Sequence, residues 1–523
     1  MEKPTLTLKP LQVITEVVWI VLILAVGLAA FTWNHESVFF GGEVYFTDGD
    51  CYARMTRVRM IESEGLHSIR SHAFENFPDG TKPHTTMPLD ALIAGLSQIL
   101  RPFLSNHLSM AGAWISPLLG LALLAFLAAW SFRVRLPYRR AMLLLIAVSP
   151  ILAHGFQIGR PDHQSLLLFL IAVAIAAEVG IVLQRGRAWV FVSAGAWALA
   201  LWVSLFEPLI LLVLVLGTRG GLLIFMPRLR SNFRKAIGPV GLFFALLAAA
   251  FVIDGWRVAA FHPVFDRWAQ NIGELRSTTP SVLFGWCGWM IVFLPLLLAW
   301  RFRRDREIAG WVFFVPILVT AGLALHHARW GYFVALFCAM ALPWALSAQR
   351  RCWVAWIAFV VSLWPIASEW ERTLYPTDAA WRARAENLAD AVALRDAAIR
   401  LRELPQGGVM APWWFCAAIV WWSGQPCIGG SSHQSLPGVV DSCEFYLSES
   451  PEKAEAILDS HQIRYIFAYE PDRMISNSAQ ILGRQLIATP LAESLFQHPK
   501  TNVLGMEIIY ANRYFKTFRV LSQ

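Results

Sequence analysis

The feature that most constrains this chain is an alternation along its length. Between residue 14 and residue 367 the sequence holds about eleven apolar stretches long enough for a membrane-spanning helix. Several short connections between them are dense in Arg: Arg133, Arg135, Arg139 and Arg140; Arg185 and Arg187; Arg228, Arg230, Arg234 and Lys235; Arg301, Arg303, Arg304 and Arg306; Arg350 and Arg351. Positive charge beside span ends marks the cytoplasmic side. These connections alternate without a break with others that carry Asp48 and Asp162, Glu207, Glu274 and Arg329. Such a pattern predicts a polytopic α-helical membrane protein of about 11 to 13 transmembrane helices, with its polar chemistry facing outward.

Composition agrees. Hydrophobic residues make up 56% of the chain and charged residues only 15%, with 24 Trp and 34 Phe, a membrane profile rather than a soluble one. The net charge of +8 follows from the cytoplasmic bias, because Lys and Arg gather at span ends and not on a soluble module. A nucleic-acid partner is therefore not expected. The apolar run from Ile14 to Trp33 is too long for a signal-peptide core and lacks a small-residue cleavage site, so it reads as an uncleaved anchor. With the N-terminus inside and an odd number of spans, the tail lies outside. The expected division is a transmembrane domain at 1–367, with outer loops at 34–109 and 255–281, and an extracytoplasmic domain at 368–523.

The first outer loop contains a polar stretch from Phe46 to Arg59, a turn at Pro78-Asp79-Gly80 and an amphipathic or partly inserted segment from Pro88 to Phe103. Glu207-Pro208 divides a double-length apolar run, either as a tight outer turn or as a kinked helix with a buried Glu. A single span is expected at 282–300. In the tail, Thr377 to Arg402 is helical in period, Val409 to Ile428 is apolar and Trp-rich, and Pro451 to Ser460 and Arg464 to Ala468 read as helix and strand. This is a small mixed α/β domain. Of the seven cysteines, four lie on the outer side, where an oxidising compartment permits a disulfide; Cys427–Cys443 is the pairing to test first.

The outer connections hold the candidate chemistry. Asp48-Gly49-Asp50 offers two carboxylates, the ligand type that hard divalent cations prefer, although an ordinary turn with solvated acids has the same sequence. Asp162-His163-Gln164, directly before a span, combines carboxylate, imidazole and amide. Asp162 also stands where a helix cap should, and both roles are compatible. Glu274 sits in the second large outer loop, as a ligand or as a solvated acid. Arg329 breaks the charge pattern at an outer span end, where its fork suits a diphosphate or snorkels to lipid headgroups.

Together these residues resemble the catalytic subunits of oligosaccharyltransferases, membrane enzymes that transfer a glycan from a polyprenyl diphosphate carrier to protein asparagine. Asp48 to Arg54, with Thr56 and Arg57 beyond, is similar to the family's first-loop pattern. Asp162-His163-Gln164 resembles the second-loop motif, often Asp-His-His. Ile272-Gly273-Glu274 resembles the fifth-loop motif ending in Glu, and Arg329 falls where relatives place a diphosphate-binding Arg. Pro412-Trp413-Trp414-Phe415-Cys416 resembles the start of the Trp-Trp-Asp-Tyr-Gly signature. The resemblance covers nearly the whole chain.

It implies a GT-C fold with an extracytoplasmic α/β domain, in the plasma (inner) membrane with its active site on the periplasmic side. It also implies a divalent ion, Mn²⁺ or Mg²⁺, held by Asp48, Asp162 and Glu274 with His163 and Gln164 as further ligands. Arg329 would hold the donor diphosphate, Asp48 would also orient the nucleophile, and Asp50 and Arg54 would be accessory. Trp413, Trp414 and Phe415 would meet the acceptor, which is protein, lipid or saccharide. Two positions depart from the family. Gln164 stands where relatives have a charged or imidazole ligand, and Phe415 stands where the signature Asp accepts a hydrogen bond from the acceptor hydroxyl. Two other readings compete: a catalytically silent relative serving in binding or assembly, and a transporter of lipid-linked sugars. Transporters place their polar residues at the bilayer midplane, and here only Glu207 qualifies.

Overall fold

The computed structural model describes residues 10–521 apart from 66–67, 84–86, 184, 226–236, 256–261, 306–308, 348–350, 486–489 and 498–504. The Arg cluster at 228–235, Arg306 and Arg350 lie outside the described residues, as does part of the 255–281 loop.

Each apolar stretch read from the sequence is helical. Five described helices are long and apolar enough to cross a membrane, six if the bent pair at 280–304 counts as one span. The helix Pro10–Phe31 turns most of its surface outward, with Ile14, Val17 and Leu22 exposed, as a lipid-facing helix should. Gly331–Leu346 is the opposite: every residue is buried, so it forms the axis of the bundle. The span expected at 282–300 is instead broken into Pro280–Cys287 and Met290–Asp305, bent by 76°. Gly288 makes the corner at φ +67, where a Cβ would lie 2.3 Å from the Ser362 carbonyl oxygen. Only glycine fits this approach. The double-length run divides into Ala188–Val203 and Phe206–Phe225. A tight turn joins them, and Glu207 in the first turn of the second helix is nevertheless buried.

The first outer loop is structured throughout its described length. Gly49–Glu64 is a helix capped by Asp48, whose carboxylate accepts the Cys51 N–H at 2.9 Å. The amphipathic segment forms the helix Met87–Leu100 with Leu89, Asp90 and Ile93 turned inward. Arg54 pairs with the buried Asp90 carboxylate, and Arg57 Nε meets it at 3.1 Å, so these charges clamp the two loop helices together.

The C-terminal part of the chain carries a four-stranded sheet in the order 408–410, 463–468, 516–520, 506–511. Its first pair is parallel, with Val409 opposite Tyr465, and the others are antiparallel. Expected elements appear as Asp378–Ile399, Pro451–Ser460 and Ile463–Ala468. The Trp-rich stretch resolves into a strand at Gly408–Met410 and the helix Trp413–Ser423. This helix lies on Gly49–Glu64, where Arg59 stacks 3.6 Å from the Trp421 ring and donates to its carbonyl at 2.9 Å. Backbone bonds from Cys427 N to Phe74 O (3.0 Å) and from Phe77 N to Cys427 O (3.1 Å) tie the first loop to the domain.

The Cys427–Cys443 disulfide does not form; all seven cysteines are free. Cys427 belongs to the main core beside the sheet, whereas Cys443 packs with Val264, Trp268 and Leu436 in a separate cluster. The neighbour of Cys427 is Cys416.

Candidate active site

Between one end of the helix bundle and the C-terminal α/β region lies a cavity of about 1760 Å³, lined by Asp48, Asp50, Asp162, His163, Glu274, Arg329, Trp413 and Trp414 among others. Three sequence candidates are not in this wall. Gln164 is fully buried, with neither amide atom hydrogen-bonded. Phe415 packs its ring 5.0 Å from Tyr469 and 5.1 Å from Phe515, centroid to centroid, in the aromatic core of the outer domain. Arg54 is committed to Asp90 and borders only a small adjoining space.

Asp162 caps the helix His163–Val182 as expected, accepting the His163 N–H at 2.6 Å. The same oxygen, Oδ1, lies 2.6 Å from His163 Nδ1. Burial works to raise the Asp162 pKa, but the charges of His163 and Arg160 outweigh it and hold the carboxyl well below the usual range. Asp50 behaves oppositely. Burial, then the neighbouring Asp48 and Asp162 carboxylates, push it up to about 6.

The residue at the centre is one to which the sequence assigned no role. Arg160 has a side chain only 5% exposed, and each of its three guanidinium nitrogens has a partner. Nε lies 3.5 Å from Asp48 Oδ2, while Nη2 pairs with Asp162 Oδ2 at 3.3 Å and with Glu274 Oε1. Nη1 donates to the Tyr332 hydroxyl at 2.9 Å and to the His154 carbonyl at 3.4 Å. Tyr332 in turn donates to Glu274 Oε1 at 3.1 Å, and its hydroxyl lies 2.7 Å from His154 Nδ1. Burial alone would lower the Arg160 pKa, yet Tyr332 and the three carboxylates lift it well above the ordinary value. For Glu274, burial raises the pKa and Arg160 more than reverses it.

The backbone here is fixed before the side chain is placed. Gly159 adopts φ +75, and a Cβ there would meet Val38 at 2.6 Å. Its N–H donates to Ala113 O and its carbonyl accepts from Thr47 N, both at 3.0 Å. Ser116 Oγ donates to the Arg160 carbonyl at 2.5 Å. The loop that carries Asp162 is thereby bolted to two neighbouring segments.

Arg329 also lines the cavity. Its Nη2 lies 2.7 Å from Glu207 Oε1, and Ser204 Oγ donates to the second Glu207 oxygen at 2.8 Å. The Glu274 loop is held on both flanks. Leu275 O lies 2.8 Å from His327 Nδ1 next to Arg329, and Asn271 Oδ1 accepts from Asn477 Nδ2 of the outer domain at 2.9 Å. Asn477 also accepts from Trp413 Nε1 at 3.0 Å, and Trp413 stacks obliquely 5.6 Å from Trp268. His154, Tyr332 and Asn477 had no site role in the sequence, and Glu207 had one only in the transporter reading.

The chemistry of the donor set suits a divalent cation, with hard carboxylate oxygens and an imidazole beside them. Its arrangement does not. The point shared by Asp48, Asp162 and Glu274 is taken by the Arg160 guanidinium, and His163 is spent on Asp162. Among the described residues no group of three or more His, Cys, Asp or Glu is placed to hold an ion.

The architecture matches solved membrane proteins. The oligosaccharyltransferase AglB of Archaeoglobus fulgidus, solved with an inhibitory peptide and a dolichol-phosphate, aligns with a TM-score of 0.64 at 14% identity over 88% of this chain and 70% of that one. The chain has the GT-C fold. An oligosaccharyltransferase of Archaeoglobus fulgidus solved with zinc and sulfate aligns with a TM-score of 0.62 at 14% identity, covering 91% of this chain and 70% of that one. ArnT of Cupriavidus metallidurans bound to undecaprenyl phosphate aligns at 0.55 and 12% identity, over 98% of both chains. No family model matches the sequence, and no curated relative does.

Proposed function

We propose that this GT-C protein is a glycosyltransferase that moves a glycan from a polyprenyl (di)phosphate carrier to an acceptor at the outer face of the membrane. The observation that carries this reading is the cavity itself. Its wall brings the carboxylates Asp48 and Glu274, the arginine Arg329 and the indoles of Trp413 and Trp414 around one space. Carriers of this class are bound by proteins of the same fold, dolichol-phosphate by AglB and undecaprenyl phosphate by ArnT.

Roles follow from position. Asp48, whose side chain is 41% exposed, is the carboxylate best placed to accept a proton from, or orient, an incoming nucleophile. Arg329 meets negative charge developing on the departing phosphate, and a fixed guanidinium in a partly buried site does so without reorganising. Trp413 and Trp414 form the wall on the outer-domain side, where an acceptor arrives. Catalysis rather than transport is supported by acids, an arginine and an aromatic wall gathering around one cavity. The expectation that a divalent ion assists departure has the carboxylates in its favour and the guanidinium between them against it, so no step is drawn through a metal.

The test is transfer by the purified protein from a polyprenyl-diphosphate glycan, compared with Arg329→Gln, together with extracts of cells lacking the gene. Accumulation of a lipid-linked glycan and loss of one glycoconjugate are expected. Unchanged lipid-linked glycans in those cells would refute the reading.

A further inference from the structure

We propose that Arg160 is the resident cation of the carboxylate cluster, occupying permanently the place at which a divalent ion would otherwise neutralise Asp48, Asp162 and Glu274. The inference rests on the transferase reading only for its activity arm; its binding arm is independent of what the protein transfers.

Three observations carry it. First, the guanidinium is the common partner of all three carboxylates, which come from separate outer connections at positions 48, 162 and 274. A guanidinium is planar, always charged and carries five N–H donors in a rigid fork, so it can serve several oxygens around its rim at once. A divalent ion would need the same oxygens drawn in to about 2.0–2.6 Å of one point.

Second, the side chain is held from behind. Nη1 is anchored on Tyr332 and on the His154 carbonyl, and the backbone is pinned on both sides of Gly159 and at the Arg160 carbonyl. Swinging the arginine out to admit an ion would break these contacts.

Third, the remaining ligands are already spent or turned away. His163 is engaged with Asp162, and Gln164 is fully buried and outside the cavity wall. Arg160 thus acts as a positioning residue. It holds Asp48 and Glu274 aimed, and it supplies positive charge that a chelator cannot strip.

The experiment combines calorimetry with activity on the full-length protein in detergent. Wild type, stripped with EDTA and dialysed, should show no saturable Mn²⁺ binding up to about 1 mM and should lose less than about twofold of its transfer rate. Arg160→Met leaves three carboxylates without a counter-ion, so it should bind one Mn²⁺ per chain at least tenfold more tightly than wild type. Its residual activity should become EDTA-sensitive and Mn²⁺-restored. Arg160→Lys keeps the charge and should stay chelator-insensitive. If Arg160→Met does not fold, wild type and Arg160→Lys decide the matter. Stoichiometric, micromolar Mn²⁺ binding by wild type, or loss of wild-type activity in EDTA with recovery on Mn²⁺, would overturn the proposal. If no transfer is found with any donor while the calorimetry comes out as stated, the transferase reading fails and this one stands.

Discussion

Arg329 owes its position to Glu207, and that dependence can be measured. The pair lies 2.7 Å apart, with the Glu207 side chain 1% exposed and that of Arg329 22% exposed. At this separation and an effective dielectric of about 20, the gross attraction is about 6 kcal/mol. Desolvation takes back part of it, and removing one partner of a buried pair typically costs about 3–5 kcal/mol. Glu207→Gln keeps an acceptor for Ser204 but removes the charge. Because Arg329 borders the cavity and retains some solvent, we expect roughly 2–3 kcal/mol of its phosphate-directed orientation to be lost. That corresponds to a fall in kcat/KM of roughly 30- to 150-fold, with the donor KM carrying much of it. The assay is initial-rate transfer at varied donor concentration for wild type, Glu207→Gln, Arg329→Gln and the double variant. If the glutamate acts through the arginine, the double variant should be no worse than Arg329→Gln alone. A wild-type rate for Glu207→Gln, or losses that multiply in the double variant, would refute this account.

Three further outcomes are expected. Single cysteines at 48, 274 and 400 should label from outside and one at 303 only from inside; cytoplasmic labelling at 48 or 274 would remove the proposed site from the outer face. Glu75, fully buried, has its carboxyl pushed by burial up to about 7. The folded state therefore holds this proton more tightly than the unfolded chain does. The contribution of about 3 kcal/mol is present below pH 4.5 and lost as pH rises through 7. Glu75→Gln should accordingly raise the melting temperature at pH 8 and leave it nearly unchanged at pH 4.5, and equal shifts at both would contradict the assignment. Finally, no carboxylate stands at position 415 to read an acceptor hydroxyl, so a peptide with Asn-Xaa-Thr should be no better an acceptor than its Asn-Xaa-Ala counterpart. A hundredfold preference for Thr in direct competition would show that other residues read the hydroxyl.

Much of the fold was legible because its signals are local. Apolar length sets a span, and the described helices follow it; Asp162 caps the helix that its position in the sequence suggests. What could not be read was wherever a distant contact decides. The break at Gly288 depends on the Ser362 carbonyl arriving from another helix, and nothing in residues 282–300 announces that visitor. The Cys427–Cys443 pairing came from compartment chemistry alone, and the tertiary fold placed the two thiols in different clusters.

The site divides along the same line. Residue types at 48, 162, 274 and 329 were visible and do line one cavity, because the fold brings the connections that carry them to one end of the helix bundle. Facing within a helix is a finer matter. Successive residues on a helix turn by about 100°, so a motif read as a string puts Trp413, Trp414 and Phe415 together, whereas the helix sends the two Trp to the cavity and the Phe to the Tyr469 and Phe515 rings. Gln164, two places past the Asp162 cap, is likewise carried into the bundle. Arg160 is the instructive omission. It breaks the positive-inside pattern just as Arg329 does, and that was the available signal. Its neighbours Pro161 and Asp162 made it look like part of a motif rather than a charge in its own right. Sequence shows that three acids and two arginines share a face; only the packing shows which arginine the acids enclose.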